Sequence, residues 1–329
     1  MPLVTRIDLA TSVLLVLGLP LVARHAIAAD TTDQDDQSDR TSDQADAINA
    51  AQDGAQERRA VEQPTPSAPN VFNFRISAPL YYNSNAAEAP SRGPAALEGD
   101  PELELGWSRN LTSLPLKLSV KLKADTDRYA NASQGDEDEV SGTFKASYYD
   151  AQNDHQWSPF FSYKGAALYD PTFSPWTETR NDFALGLDKV FNFDGDFHLL
   201  PPAARSRASA IWSFGVSTYV QRRLRVPGPS STAFYVVPSV TYVPAEDWTV
   251  SLFGNTRERW FDSVTSGTIT TSRRDFEIEP IFTVAYDVKF PGAPQIALQT
   301  TFERRSSNLT NKSWNQWSVG PVLTANWKF

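Results

Sequence analysis

The chain of 329 residues has no cysteine, one methionine and three histidines. Without cysteine it can hold neither a disulfide nor a thiolate metal site, and a chain that crosses an oxidising compartment unfolded is well served by having none. Long apolar runs are missing as well. Past Ala23 nothing approaches the roughly eighteen consecutive apolar residues of a membrane helix, and the mean hydropathy is −0.40. A helical membrane protein is therefore excluded. Phosphate-cradling glycine loops, histidine metal sites and basic nucleic-acid patches are absent too, so the sequence points to no cofactor, no metal and no nucleic acid.

The net charge of −9 is unevenly placed. Residues 30–69 contain ten acids against three arginines, so most of the acidity sits in one segment. That segment is rich in Asp, Gln, Ser, Thr and Ala and has too little apolar surface to offset its ordering entropy. It reads as a disordered acidic stretch, ending in Gln63-Pro64-Thr65-Pro66-Ser67-Ala68-Pro69. Residues 1–29 read as a secretory signal peptide. Arg6 precedes an apolar run from Leu9 to Ala23, and Ala26-Ile27-Ala28-Ala29 offers small residues for cleavage.

The remaining residues, 70–329, alternate apolar and polar over many short runs separated by turn residues. Alternation with period two places one set of side chains on each face of a strand. Twelve strands are expected, at 70–82, 101–109, 114–125, 138–150, 156–169, 180–193, 209–223, 232–243, 247–261, 273–288, 294–305 and 313–329. In the third, Leu114, Leu116, Leu118, Val120 and Leu122 oppose Lys117, Ser119, Lys121 and Lys123. In the tenth, Phe276, Ile278, Phe282 and Val284 oppose Asp275, Glu277, Glu279 and Thr283. No helical pattern competes with these.

The last run is the most regular: Trp317, Val319, Pro321, Leu323, Ala325, Trp327 and Phe329 alternate with Gln316, Ser318, Gly320, Val322, Thr324, Asn326 and Lys328. This ending resembles that of bacterial outer-membrane β-barrel proteins, porin-like in pattern though without the motif of any subfamily. The resemblance implies an all-β, transmembrane, antiparallel up-and-down barrel of about twelve strands with its greasy face toward lipid. It implies that Trp327 and Phe329 form the assembly signal read by the barrel-assembly machinery. Outer-membrane lipid and lipopolysaccharide become partners, and the 30–69 segment and Phe329 are expected in the periplasm. Odd-numbered loops then face outward and are mostly the longer ones, as such barrels require. Asp194 to Ala208 breaks the rule: either a hairpin is miscounted there or the turn has a role. Aromatic residues near strand ends, among them Tyr81, Tyr82, Trp107, Trp157, Trp176, Trp248, Trp260, Trp314 and Trp327, fit interfacial girdles.

Function should be read from the lumen. Alternation assigns to it Arg75, Glu102, Glu104, Lys117, Lys121, Lys123, Lys145, Arg223, Arg257, Arg259, Asp275, Glu277 and Glu279 as lining residues. Acidic strand two neighbours basic strand three, and basic strand nine neighbours acidic strand ten, so opposite charges can pair across the ladder. That pattern permits a water-filled pore with a transverse field or a salt-bridge lattice that plugs the barrel. Small inward residues such as Ser141, Ser162, Ser213, Gly215 and Ser217 favour a passive channel for small hydrophilic solutes. The alternative is a closed barrel with a structural or adhesive role through its outer loops, and a lipid enzyme stands third.

An enzyme is not expected. Outer-membrane phospholipases use a His followed two residues later by Ser, with an Asn that orients the His; here His155-Gln156-Trp157-Ser158 is one residue too long and His198-Leu199-Leu200 lacks the serine. Both histidines fall in turns expected at the periplasmic end, far from an outer-rim Ser or Asp that would need them. The run Asp136-Glu137-Asp138-Glu139 reads as a solvated charge run, with a divalent-cation site as the alternative.

Overall fold

A computed structural model describes residues 70–90, 93–111, 114–130, 136–148, 157–201, 210–266, 269–292 and 294–329. The expected signal peptide, the acidic segment, His155 and part of the 194–208 turn lie outside the described residues. Twelve long strands form the wall: β1 Val71–Asn83, β2 Glu102–Asn110, β3 Leu116–Tyr129, β4 Glu137–Tyr148, β5 Ser158–Tyr169, β6 Trp176–Phe193, β7 Trp212–Val226, β8 Ser231–Ala245, β9 Trp248–Phe261, β10 Arg274–Asp287, β11 Gln295–Ser307 and β12 Trp314–Lys328. Each pairs antiparallel with the next, and β12 pairs back onto β1, with Asn73 opposite Lys328 and Asn83 opposite Ser318. Closure leaves no free edge, the arrangement that satisfies every backbone group where no water is at hand.

The closing seam depends on Gly320. A Cβ there would lie 1.9 Å from the Leu80 carbonyl oxygen, so only glycine lets β1 and β12 approach at this point. The start of β1 and the last residue meet at the seam, where the Phe329 amide donates to the Phe72 carbonyl at 2.9 Å and the Phe72 amide donates back at 3.2 Å. We call this the terminal end of the barrel and the other the far end.

The strands run within a few residues of their expected positions, and no strand of the wall is missing between the two that flank the long turn. Strands β6 and β7 are direct neighbours, with Phe193 opposite Trp212. The turn between them opens with Asp194, whose carboxylate accepts the amides of Asp196 and His198. At the far end two connections carry extra strands. Ala96–Gly99 lies between the tips of β1 and β3, and Val264–Ser266 pairs with Ile269–Thr271 as a hairpin after β9. The loop between β8 and its predecessor is shorter than the sequence suggested, because β7 runs to Val226.

Alternation holds around the wall. Leu103, Leu105, Leu122, Leu185, Val220, Leu224, Phe234, Leu252, Phe276, Ile278, Phe282, Leu298 and Leu323 all point outward and are exposed. Two aromatic assignments fail. Tyr81 and Trp314 are not girdle residues; both turn into the barrel and are buried, because the parity of β1 and β12 puts them on the same face as Arg75 and Gln316. Trp107, Trp157, Trp176, Trp248, Trp260 and Trp327 stay on the exterior parity or at its rim.

Candidate lumen site

Every lining residue named from the sequence faces the interior, and the structure sorts them into two groups. Arg75, Glu102, Glu104, Lys123, Arg223, Arg257, Arg259, Asp275, Glu277 and Glu279 are buried. Lys117, Lys121 and Lys145, nearer the terminal end, are not. The first group belongs to a lattice of ion pairs set mostly on the far halves of the strands, which Arg75 joins from nearer the terminal end of β1.

The lattice is built by direct cross-strand opposition. Arg75 stands across from Glu104 in the β1–β2 register, and its Nη2 donates to Glu102 Oε1 at 2.7 Å and to Glu104 Oε2 at 3.2 Å. Lys123 Nζ lies 3.3 Å from Asp125 and 3.8 Å from Glu102. On the next wall Lys164 Nζ is 3.1 Å from Glu139, and Arg225 grips Glu178 through Nε at 3.0 Å and Nη2 at 2.5 Å. Arg257 opposes Glu277 and donates to it from Nε at 2.8 Å, while Arg305 Nε reaches the other oxygen of Glu277 at 3.2 Å. Arg259 Nη2 donates to Tyr235 Oη at 3.4 Å. Charges taken this far from water are stable only when held by several partners, and replacing them by apolar residues of equal volume would often be neutral or better for folding.

The first far-end loop closes over the lattice. Asn85 is its anchor: Oδ1 accepts the amides of Ala89 and Gly93, and Nδ2 donates to the carbonyls of Ala89 and Asn315. Gly93 is required there, since a Cβ would sit 2.2 Å from Asn85 Oδ1. The loop thereby lowers Glu88 into the lumen, 3.7 Å from Arg305 Nη1. Asp100, at the end of the same loop, has its carboxyl held well above the ordinary aspartate range by burial and then by the charges of Asp127 and Asp125.

The acidic run of the second loop is not a solvated one. Asp138 is fully buried, paired with Arg128 at 2.5 Å and accepting the Phe173 amide at 2.7 Å, and Glu139 turns into the lattice. The far-end connection that carries Phe173 folds down over the pair, which is why exposure expected from sequence is lost. Among the described residues no group of acids and histidines is arranged to hold a metal ion.

The terminal half is different. On the β10–β12 and β1 side the lining includes a buried apolar cluster of Tyr81, Ala285, Ala297 and Val322, of which Ala285 and Ala297 lie near the terminal ends of their strands. On the β3–β7 side the lining stays partly open: the side chains of Lys121, Lys145 and Asp188 are 32%, 38% and 31% exposed. Lys145 Nζ bonds Asp188 at 3.0 Å, and the other Asp188 oxygen accepts Ser217 Oγ at 2.6 Å. Above this opening lies an aromatic step, with Tyr219 stacked on Tyr235 at 4.3 Å and edge-on to Phe160 at 6.0 Å. Gly186 makes room for it, because a Cβ there would press on Tyr219 and Phe160.

Sequence reasoning missed Glu88 and Glu178, which fell in expected loops, and did not single out Arg180 and Arg305. The last was legible from parity, two residues beyond Glu303. Trp327 stacks on Phe74 at 5.6 Å on the outer surface, and Phe329 is the most exposed large apolar residue among the described ones, 77% accessible. His198 is exposed and stands 3.2 Å from Asp194.

An outward apolar belt round a closed wall, enclosing ionised side chains, is the inverse of a soluble protein and needs lipid as its outer solvent. This is a transmembrane β-barrel. No family model matches the chain, and no curated protein does. Solved structures similar to it include the COG4313 outer membrane channel from Pseudomonas putida F1, at 9% identity and a TM-score of 0.49 over 80% of this chain and 97% of that one. The translocator domain of the autotransporter NalP from Neisseria meningitidis is similar over 90% of this chain and 99% of its own, at 9% identity and a TM-score of 0.43. LpxR from Salmonella typhimurium gives 9% identity and a TM-score of 0.39 over 78% of this chain and 99% of its own. Likenesses at this level of identity concern the fold alone.

Proposed function

We propose that the barrel is a passive channel for small hydrophilic solutes, constricted in its far half by the ion-pair lattice, with the terminal end in the periplasm. The observation that carries the reading is the ionic lining of the lumen. Arginines and carboxylates cross it where apolar filling would serve a permanent plug; they cost desolvation and are retained in membrane proteins where ions or protons pass. Lattice side chains and their partners then replace the hydration of a passing ion, in the way charged rings do at a constriction.

A second reading, a closed barrel acting through its far-end loops, is favoured by one observation: Arg75, Arg180, Arg223, Arg259 and Arg305 are almost wholly buried. The two separate cleanly in a planar bilayer. Purified, refolded and demonstrably inserted protein should give discrete conductance steps in potassium chloride. A silent bilayer rejects the channel and leaves the closed barrel standing.

A further inference from the structure

Arginines stand on the outward face of the wall toward the far end of β3, β7, β10 and β11. Three of them are held by carboxylates: Arg128 by Asp138, Arg222 by Asp262 at 2.6 Å, and Arg274 by Glu258. Arg304 differs. It is exposed, shares the outward parity of Leu298 and Phe302, and has uncharged residues on both sides, Ile278 on β10 and Asn315 on β12. Glu258, two strands away, is taken by Arg274. Among the described residues no side chain is bonded to the Arg304 guanidinium. An arginine on a lipid-facing wall is costly unless its long stem carries the charge to the polar headgroups.

The surroundings of Arg304 divide in the way a lipid does. Asn315 is directly opposite, with a Cβ separation of about 4.5–5.5 Å, and Ser306 lies two residues on along the same face; both are exposed. Toward the middle of the wall the next outward pair is apolar, Phe302 opposite Trp317, 45% and 46% exposed, and the Tyr82 ring lies 5.3 Å from that of Trp317. Polar donors therefore stand at the rim with an aromatic floor beneath them. We propose that Arg304, Asn315 and Ser306 bind the phosphate of a membrane lipid whose acyl chain lies on Phe302 and Trp317. The guanidinium fork matches two phosphate oxygens, and the amide and hydroxyl add neutral donors. A free phosphate would gain nothing from the floor, which is continuous with the lipid-facing belt. The site requires only that the wall span a membrane and is independent of what the lumen conducts.

The full folded barrel is purified in dodecyl maltoside, a detergent without phosphate, and dioleoyl phosphatidic acid is titrated in and followed by native mass spectrometry. Saturable retention of this lipid is expected, weakened about tenfold in Arg304→Gln, weakened less in Asn315→Ala, and unchanged in Arg222→Gln, whose arginine is already engaged by Asp262. Dioleoylglycerol, with the same chains and no phosphate, should not be retained, and excess inorganic phosphate should not displace the lipid. The heat-modifiable band of each variant shows that the barrel is intact. Equal retention by wild type and Arg304→Gln, or equal loss in Arg222→Gln, overturns the site. Retention of dioleoylglycerol on a par with phosphatidic acid would leave only apolar contact, and displacement by inorganic phosphate would make the ligand a free ion; either result rejects the lipid site.

Discussion

Arg223 lies directly across the β6–β7 ladder from Asp182 and holds it with a two-pronged grip, Nε to Oδ1 at 2.9 Å and Nη2 to Oδ2 at 2.7 Å. Both side chains are buried. Removing one partner strands the other charge, which costs about 3–5 kcal/mol, whereas removing both with apolar replacements of similar volume is often near neutral. Asp182→Leu should therefore lower the urea midpoint of the refolded barrel sharply, and Asp182→Leu with Arg223→Met should recover most of it. If the double variant is no more stable than the single one, the pair is not an isolated unit of the lattice.

The exterior predicts the opposite sensitivity. Leu185 points at lipid from the middle of β6 and is 66% exposed. Placing an arginine there should cost about 2–4 kcal/mol, as charges near the bilayer midplane do in such barrels. Ser162→Arg faces the open part of the lumen, where water reaches, and should cost much less. Paired urea titrations in lipid vesicles check the register of both faces at once.

The strands and their facing were legible because a membrane barrel has one solvent on each side, and period two is all that the wall requires. What could not be read was how far the interior is filled. Arg257 and Arg305 stand directly opposite Glu277 on its two neighbouring strands and are visible in the pattern, but how completely the three are withdrawn from water is not. Glu88 is the clearest miss: a glutamate in a loop reads as solvated, and only the Asn85 turn carries it inward. Tyr81 was misjudged from its place at a strand end, although its parity with Arg75 already set it on the inward face.

The far end should respond to pH through Asp100. Its folded-state pKa is raised, so the folded protein binds this proton more tightly than the unfolded chain does. Stability from this group is therefore fully present below about pH 3.9, the unfolded value, and is lost as pH rises through the folded one. Asp100→Asn removes the dependence. It should be more stable than wild type at neutral pH and indistinguishable below about pH 4. Urea midpoints at a series of pH values give the comparison, and a wild-type advantage at pH 7 would refute the assignment.

Assembly offers a test that does not depend on the lumen. Phe329 completes the belt beside Trp327 and exchanges backbone hydrogen bonds with Phe72 across the seam. If it is also the signal read during insertion, deleting it should leave protein in the periplasm as an unfolded form, seen as loss of the heat-modifiable band, while Phe329→Tyr should assemble. The deleted chain should still refold into detergent micelles unaided, since one aromatic among many contributes little to the folded wall. Normal surface assembly of the deleted chain counts against the signal.

The lattice itself yields the sharpest prediction about conduction. Arg257 and Glu277 oppose one another at the heart of the far half, and replacing both by serine leaves the net charge unchanged while removing the bulk and the pairing of two long side chains. If the lattice is the constriction, the double variant should conduct more per channel than wild type, with little change in the sign of its ion preference. Replacing Glu277 alone leaves Arg257 and Arg305 facing each other without their shared carboxylate, so the wall becomes more positive and anions should be favoured. That preference should shrink at high salt, where the Debye length falls to about 3 Å at 1 M. Single-channel recordings of the three proteins in a potassium chloride gradient decide it: equal conductance in wild type and double variant would move the constriction elsewhere, to the Asn85 loop above or the Phe160–Tyr219 step below.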